Sequence, residues 1–300
     1  MKQAVIDIGS NSMRLTVYET GQGTFTILFK DKIMAGLAGY VENGVLTQEG
    51  ISQACEGLLS FQATLEALDI RRVAVFATAS LRNIRNTSQA VNLIQAATGY
   101  PIEVLSGPEE ARWGYYGAMR EVNLADGVFV DIGGASTEIV RFSQGTIQDA
   151  VSCPVGSLKL YRDYVKKILP NAQALTAMEK AVSQATDGVI QKPRARQLPL
   201  VCVGGTARAA LKLAKHVYQL PEGTNRVSAR QVKELCALVC SSQKQAADLI
   251  LKLAPERIHT MIPGLLILRQ VAEGFGVSEM IVSKYGVREG YLCGRILKVS

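Results

Sequence analysis

The sequence lacks the features with which a chain crosses a membrane or enters a secretory route. No apolar run approaches the roughly 18–20 residues that span a bilayer, and Ile262–Leu268 is only a short apolar stretch. Near the start, Asp7 places a carboxylate where a signal peptide needs its apolar segment. We therefore expect a cytoplasmic protein without a membrane partner.

Cysteine motifs for metal binding or redox chemistry are also missing. The 6 cysteines include no Cys-x-x-Cys pair, so we expect reduced thiols that pack as small apolar groups. Cys236 and Cys240 stand at i and i+4 of a predicted helix and could share one face. Because no histidine pair accompanies them, we do not expect a zinc site there.

Aromatic residues make up only 6% of the chain and form no obvious base-stacking array, which argues against a nucleic-acid partner. The net charge of +7 is unevenly spread. Residues 1–124 hold 10 Lys and Arg against 12 Asp and Glu, and residues 125–300 hold 23 against 14, giving −2 and +9. A basic half is typical of a protein that binds a polyanion, although a solvated basic surface explains it equally well. The side chains that could follow a polyanion are Lys192, Arg194, Arg196 and Arg257.

Hydrophobic residues, 48% of the chain, fall into alternating strand-like and helix-like segments. After Asn123–Gly127 the pattern starts again with a strand. We therefore predict an α/β protein with two domains, residues 1–124 and residues 125–300.

One motif occurs twice, at an offset of 124 residues. Asp7–Leu15 (DIGSNSMRL) aligns with Asp131–Ile139 (DIGGASTEI). Each copy follows a predicted strand, passes through Asp-Ile-Gly and a turn of small residues, and enters a second strand. A single turn of this kind is more often an ordinary hairpin. Two copies that open two domains favour a shared function.

Small residues in these turns allow consecutive backbone N–H groups to point into one concavity, which suits phosphate oxygens. The predicted phosphate-binding residues are Gly9, Ser10, Asn11, Ser12, Gly133, Gly134, Ala135, Ser136 and Thr137. An aspartate beside a phosphate needs a divalent cation between them, and Mg²⁺ takes one or two carboxylates plus phosphate oxygens. We therefore predict Mg²⁺, or another hard divalent cation, with Asp131, Glu138 and Asp7 as its candidate ligands.

A third glycine element, Val201–Arg208, follows a predicted strand and opens a helix, whose N-terminus favours anions. No GxxxxGK[ST] sequence occurs, which excludes a P-loop enzyme. In this order the three glycine elements resemble the phosphate and adenosine motifs of the actin-like ATPase superfamily. The segments Ala77–Arg82, Leu105–Arg112 and Tyr285–Gly290 resemble, more narrowly, its branch of exopolyphosphatases and guanosine pentaphosphate phosphatases, the Ppx/GppA family.

This resemblance runs from residue 4 to about residue 292. It implies two actin-like, ribonuclease H-like domains whose mixed sheets flank an interdomain cleft. The last helix, around Val287–Leu297, is expected to pack on the first domain, as in relatives. The chain looks like a short form without the additional C-terminal helical domain of longer relatives. Because relatives often form dimers, a homodimer is a further expectation.

The two glutamates that open the predicted helix from Pro108 have different roles. Ser106 followed by Glu109 fits a helix capping box. Glu110 points about 100° further round the helix. The resemblance implies that Glu110 is the general base that activates water, and the helix dipole would keep its carboxylate ionised.

The resemblance also implies that Arg82 is catalytic, because its planar guanidinium suits a pair of phosphoryl oxygens. A salt bridge at a helix start is the alternative explanation. Together these residues predict hydrolysis of a terminal phosphoanhydride. Polyphosphate is the expected substrate, since the basic second half offers a track for a long anion, and guanosine pentaphosphate is the alternative. A kinase of the acetate or sugar type would use similar motifs, but the surroundings of Glu110 favour water as the acceptor.

Two positions depart from the family pattern. Ala135 stands where a third glycine is usual, and alanine costs about 1 kcal/mol if that position needs a positive φ. Asn83 replaces a frequent aspartate. A weakly catalytic sensor of polyphosphate or nucleotides is therefore another interpretation.

Overall fold

The computed structural model describes residues 1–190 and 197–299. Contacts within the chain divide it into two units. The first comprises Met1–Glu110 and the last residues from Tyr291 onward, and the second comprises Ala111–Gly290. Each unit is built on a large mixed sheet with helices, so the predicted α/β class is confirmed.

The first unit begins with antiparallel strands joined by short turns. Its strands are β1 (Lys2–Ile8), β2 (Met13–Gly21), β3 (Thr24–Ile33), β4 (Val41–Glu42), β5 (Val45–Leu46), β6 (Val73–Ala77) and β7 (Ile102–Val104). The large sheet has the order β3-β2-β1-β6-β7, and β4 and β5 form a separate small hairpin. Its helices are α1 (Gln48–Ala67), α2 (Ala79–Arg82) and α3 (Thr87–Thr98). Helix α1 begins where the Thr47 side chain accepts from the Gly50 N–H, and its apolar face covers the sheet.

Helix α4 (Gly107–Val122) leads into the second unit. The strands there are β8 (Gly127–Ile132), β9 (Thr137–Ser143), β10 (Thr146–Cys153), β11 (Pro199–Val203), β12 (Arg226–Ser228) and β13 (Glu279–Val282). They form one sheet with the order β10-β9-β8-β11-β13-β12. The helices are α5 (Ser157–Tyr164), α6 (Ala172–Thr186), α7 (Gly204–Tyr218), α8 (Ala229–Ser241), α9 (Gln243–Leu253), α10 (Met261–Gly274) and α11 (Val287–Tyr291).

The two sheets repeat one topology. In each, an antiparallel three-stranded meander is followed by parallel strands on the far side of the first strand, and β12 is an addition to the second sheet. The register repeats as well: Asp7 stands opposite Arg14, and Asp131 stands opposite Glu138, at the same offset of 124 residues. The internal repeat predicted from the sequence is therefore a structural repeat.

The division between the units falls inside α4, whereas the sequence analysis placed it after residue 124. The reason lies in the apolar face of this helix. From Ala111 onward, α4 turns Tyr115 and Ala118 into a core with Phe129 and Phe142 of the second sheet. A turn signal marks where a helix ends, but burial decides which unit the helix stabilises.

The end of the chain returns to the first unit. Tyr291 packs its ring on Phe76, with ring centroids 4.9 Å apart, and its hydroxyl donates to Glu103 at 2.6 Å. Arg295, in a π-helical turn over Leu292–Leu297, donates to the same carboxylate at 2.9 Å. Burial, and then the bond to Glu103, raise the pKa of Tyr291. In the part of the chain that the structure describes, no helix is long and apolar enough to cross a membrane.

Helices α4 and α11 pack closely where glycine meets glycine. An alanine side chain at position 117 would strike the carbonyl group of Gly286 and come within 2.9 Å of the Gly290 nitrogen. Helix propensity alone would favour alanine by about 1 kcal/mol. We nevertheless expect Gly117→Ala to destabilise the protein by about 1–3 kcal/mol in urea unfolding, because backbone atoms cannot move aside.

The matched control is Gly223→Ala, since a side chain there would meet nothing within 4 Å. Equal stability of the two variants would contradict the close packing of α4 on α11.

Candidate active site

The first turn of the repeat connects β1 and β2 and is tied to the chain that follows β3. The Gly9 N–H donates to the Ser12 carbonyl at 3.2 Å, which closes the turn. The carbonyl of Ser10 accepts from the Ala38 N–H at 2.9 Å, and that of Asn11 accepts from the Gly36 N–H at 3.0 Å. The carbonyl oxygens of Ser10 and Asn11 are therefore held on the side of the turn that faces residues 36–38.

The second turn connects β8 and β9 and is closed in the same way, by the Gly133 N–H and the Ser136 carbonyl at 2.9 Å. Here the start of α5 holds the carbonyl oxygens. The Ser157 N–H donates to Gly133 at 2.9 Å, and the N–H groups of Leu158 and Lys159 both donate to Gly134 at 2.9 Å. The N-terminus of α5 is thus occupied by the turn itself.

These bonds fix the direction of the turn amides. In a trans peptide the N–H points away from the C=O of the same plane. The N–H groups of Asn11 and Ser12 in one turn, and of Gly134 and Ala135 in the other, therefore face away from the elements that hold the carbonyls. None of these four amides has a partner within residues 1–190 and 197–299. Pairs of such amides are suited to anionic oxygens.

The glycine missing from the second turn carries no backbone strain. Ala135 is not among the described residues with positive φ, so the alanine does not carry the energetic cost considered above. A glycine is required instead at position 156, where a side chain would come within 2.5 Å of the Gly134 carbonyl and the Ala135 nitrogen. Gly156 and Gly36 support the turns from outside the repeated motif, so the motif itself does not reveal them.

The hydroxyl groups of the turns differ in accessibility. Thr137 has no exposed surface, and its hydroxyl donates to the Val155 carbonyl at 2.6 Å. This hydrogen bond supports the turn from the protein interior. The sequence motif instead predicts that the Thr137 hydroxyl donates to phosphate. Ser12 receives a hydrogen bond from the Arg14 side chain at 3.3 Å. Ser10, Ser12 and Ser136 are largely buried along the turns.

The two repeats differ in the charge that faces the aspartate they share. Directly opposite residues in an antiparallel ladder lie on the same face of the sheet. Asp7 faces the cationic Arg14, whereas Asp131 faces a second carboxylate, Glu138. Glu138 is only 2% exposed and accepts from the Ser152 hydroxyl at 2.7 Å. The second pair is the one whose like charges would be relieved by a cation.

Two thiols beside this carboxylate pair are kept protonated. Burial, and then the charge of Glu138, raise the pKa of Cys153 to about 11. Complete burial, and then Asp131, raise the pKa of Cys202 well above its usual range. The protonated thiols leave the carboxyl oxygens of Asp131 and Glu138 as the candidate ligands here, and oxygen ligands suit a hard cation. In the described ranges no group of three or more His, Cys, Asp or Glu side chains could hold a metal. The chain would thus supply only two ligands, and Mg²⁺ takes one or two carboxylates when phosphate and water complete its shell.

The third glycine element places Gly204 and Gly205 at the start of α7. Gly204 has φ +86°, and a side chain there would come 2.5 Å from the Asp131 carboxylate, so the glycine lets this carboxylate approach the helix N-terminus. The Arg257 guanidinium lies against Gly205. Lys192, Arg194 and Arg196 lie outside the described residues.

The glutamate pair at the start of α4 behaves as the capping box predicts. Glu109 accepts from the Ser106 N–H at 2.9 Å, and the Glu109 N–H donates to the Ser106 hydroxyl at 3.4 Å. Glu110 lies elsewhere on the helix and accepts from the Arg82 guanidinium at 2.6 Å. The same Arg82 nitrogen donates to the Leu105 carbonyl at 3.1 Å.

The side chains of Arg82 and Glu110 are 16% and 12% exposed, so the pair is largely removed from water. The predicted catalytic residues are thus brought together within the first unit, although by an ion pair that the sequence did not reveal. Arg82 holds the Glu110 carboxylate in place through this charge-assisted hydrogen bond.

Comparison with known proteins identifies the family. A family model described as the Ppx/GppA phosphatase family matches residues 16–299. The chain belongs to the Ppx/GppA phosphatase family. A similar protein, named putative exopolyphosphatase, from Haemophilus influenzae is 28% identical over 293 residues, covering 96% of this chain and 90% of the relative. Membership in the Ppx/GppA family makes the chain a phosphoanhydride hydrolase.

Solved structures agree on the fold. A Ppx/GppA family member from Aquifex aeolicus matches with a TM-score of 0.80 and 24% identity, covering 99% of this chain and 98% of that one. An exopolyphosphatase from Cytophaga hutchinsonii matches with a TM-score of 0.85 and 19% identity, covering 100% and 99%. The actin-like fold implied by the sequence motifs is therefore confirmed.

The ion pair predicts a difference between the two neighbouring glutamates. Glu110→Gln leaves the Arg82 guanidinium without its carboxylate partner and should lower the free energy of unfolding by about 1–3 kcal/mol. Glu109→Gln keeps the capping box, because this position accepts glutamate or glutamine. It should change the free energy of unfolding by less than about 0.5 kcal/mol. Urea unfolding of both variants tests this, and an unchanged Glu110→Gln would refute the pairing.

Proposed function

We propose that this Ppx/GppA enzyme is an exopolyphosphatase that releases orthophosphate from the end of inorganic polyphosphate. The observation that carries the proposal is the Arg82–Glu110 pair, with the Glu110 carboxylate in the first turn of α4 and 2.6 Å from the guanidinium. The name of the Haemophilus influenzae relative supports the same substrate class. The basic residues 125–300 favour a long polyanion over a single nucleotide.

In this proposal the two turns bind the phosphates. The N–H groups of Asn11 and Ser12, and of Gly134 and Ala135, donate to phosphoryl oxygens, with Ser10 and Ser136 beside them. Preorganised amides of this kind stabilise charge on a transferring phosphoryl group without reorganising during the reaction. Their direction is fixed by Gly36, Ala38 and the start of α5, as the hydrogen bonds above describe.

Glu110 then acts on the attacking water. Its carboxylate accepts a hydrogen bond from the water and orients it in line with the bond that breaks. As the water oxygen bonds to phosphorus, the water gives a proton to the Glu110 carboxylate and the phosphorus–oxygen bond to the rest of the chain breaks. The bridging oxygen keeps the bonding electrons and leaves on a polyphosphate shorter by one unit, and the other product is orthophosphate. Arg82 positions Glu110 through the hydrogen bond between their side chains.

A divalent cation of the Mg²⁺ class fits Asp131 and Glu138. When bound, it neutralises phosphate charge and polarises the phosphoryl oxygens. Asp7 is the weaker candidate ligand, because Arg14 already faces it across the β1–β2 ladder. The absence of positive φ at Ala135 removes one motive for the alternative of a weakly catalytic sensor.

The proposed role of Glu110 predicts a loss of turnover without a loss of binding. Glu110→Gln should lower kcat for phosphate release by about 10²–10⁴-fold, because the amide cannot accept a proton from water. The affinity for polyphosphate, measured by equilibrium binding, should stay within a few-fold of wild type. Glu109→Gln is the control and should keep its activity. Turnover by Glu110→Gln near that of wild type would rule out the mechanism.

The proposed metal site predicts a shift in Mg²⁺ dependence. Chelation of divalent cations should abolish phosphate release. Glu138→Gln should raise the Mg²⁺ concentration for half-maximal activity at least about tenfold, because a ligand carboxylate is lost. Asp149→Asn, a surface carboxylate on β10 that pairs with Arg141, should leave this concentration unchanged. Equal Mg²⁺ curves for wild type and Glu138→Gln would remove Glu138 from the site.

A further inference from the structure

Two cysteines of the second unit lie one helical turn apart on α8. Cys240 packs against the core cluster that contains Cys236, and the two thiols are close enough for each to affect the pKa of the other. Residues at i and i+4 of a helix have their Cβ atoms about 5–6 Å apart, so both sulfurs can reach one small ligand. Cys236 has no exposed surface, whereas Cys240 is partly exposed in the last turn of the helix. Cys236 is thus packed in the core, and solvent reaches the pair from the side of Cys240.

A charged pair borders the two thiols. Arg269 of α10 donates to Glu179 of α6 at 2.6 Å, and the charges of both reach the cysteines. Interaction with the Cys236 thiol lowers the pKa of Cys240, and the Arg269 guanidinium lowers it further. Interaction with the Cys240 thiol, and then burial, raise the pKa of Cys236. Arg269 would balance the negative charge of two sulfurs bound to a single cation.

Three other cysteines of the described residues lack this arrangement. Burial raises the pKa of Cys153 and of Cys202, which are both fully enclosed. Cys55 is partly exposed like Cys240, but burial and the charge of Glu56 raise its pKa. Cys55 is therefore a matched control for a partly exposed single thiol.

The composition of the cluster selects the kind of ligand. Two sulfurs without a third His, Cys, Asp or Glu ligand do not complete a tetrahedral zinc site, and no such larger group occurs in the described ranges. Thiolates prefer soft cations, and a cation of the Cu⁺ class is satisfied by few sulfur ligands. We propose that Cys236 and Cys240 form a dithiol site that binds one soft, thiophilic metal ion. On binding, each sulfur releases its proton and forms one bond to the metal.

Silver(I) is the test probe, because it is redox-stable and belongs to the same class. The protein is loaded with Ag⁺, exposed to a large excess of glutathione, desalted, and measured by native mass spectrometry. Wild type should retain one Ag⁺ per chain, since two sulfurs on one helix compete better than a single thiol. Cys240→Ser and Cys236→Ala should lose the retained ion, and Cys55→Ser should keep it.

Each outcome decides the proposal. Retention of Ag⁺ by Cys240→Ser, its loss from Cys55→Ser, or no retention by wild type would overturn it. Cys236→Ala leaves a cavity in the core, so its folding is checked by circular dichroism. Cys240→Ser changes a partly exposed position at the helix end and decides the question alone. Phosphate release does not enter the readout, so the result is independent of the proposed function.

Discussion

The fixed geometry of the trans peptide governs both turns of this enzyme. Once a carbonyl oxygen is held on one side, the next N–H must point to the other. The first turn achieves this through the Gly36 and Ala38 amides, and the second through the start of α5. Different supporting elements thus impose the same result on two copies of one motif. The repeated strand order and register place each turn at the same position in its sheet.

The two copies of the motif differ in charge, which suggests that they have different functions. In the first unit, Arg14 faces the aspartate across the ladder, and the unit supplies the Arg82–Glu110 pair. In the second unit, Glu138 faces Asp131, and two protonated thiols lie nearby. Two carboxylates that face each other favour a cation nearby, so the residue at the position of Arg14 distinguishes the first turn from the second, where we propose the metal site. The proposed catalytic water and the proposed metal then belong to different repeats.

Much of the fold could be predicted because its signals are local. Each repeated turn is predicted to lie between two strands, and the structure has β1 and β2 around the first turn and β8 and β9 around the second. The spacing of Ser106 and Glu109 predicts the capping box that their hydrogen bonds form. The boundary between the units was not predictable in this way, because α4 is one continuous helix whose later residues pack on Phe129 and Phe142. Short strands such as β4 and β13 also lack a periodic signal of their own.

The candidate site residues could be named from the sequence, but their contacts could not. The family resemblance implies Glu110 and Arg82, yet the ion pair between them joins positions 28 residues apart and has no signature in sequence. Family comparison suggested strain at Ala135, whereas its φ is not positive. Thr137 matched the pattern of a phosphate donor, but tertiary contacts turn its hydroxyl to Val155. The backbone angle of Ala135 and the partner of the Thr137 hydroxyl depend on contacts with residues far along the chain. The motif alone does not specify those contacts.

The most direct test of the account is phosphate release by the wild-type enzyme from long-chain polyphosphate and, in parallel, from guanosine pentaphosphate, each with and without Mg²⁺. The account predicts Mg²⁺-dependent release from polyphosphate that greatly exceeds release from the nucleotide. Faster release from guanosine pentaphosphate would contradict the substrate assignment, and release from neither would contradict the proposed hydrolysis itself.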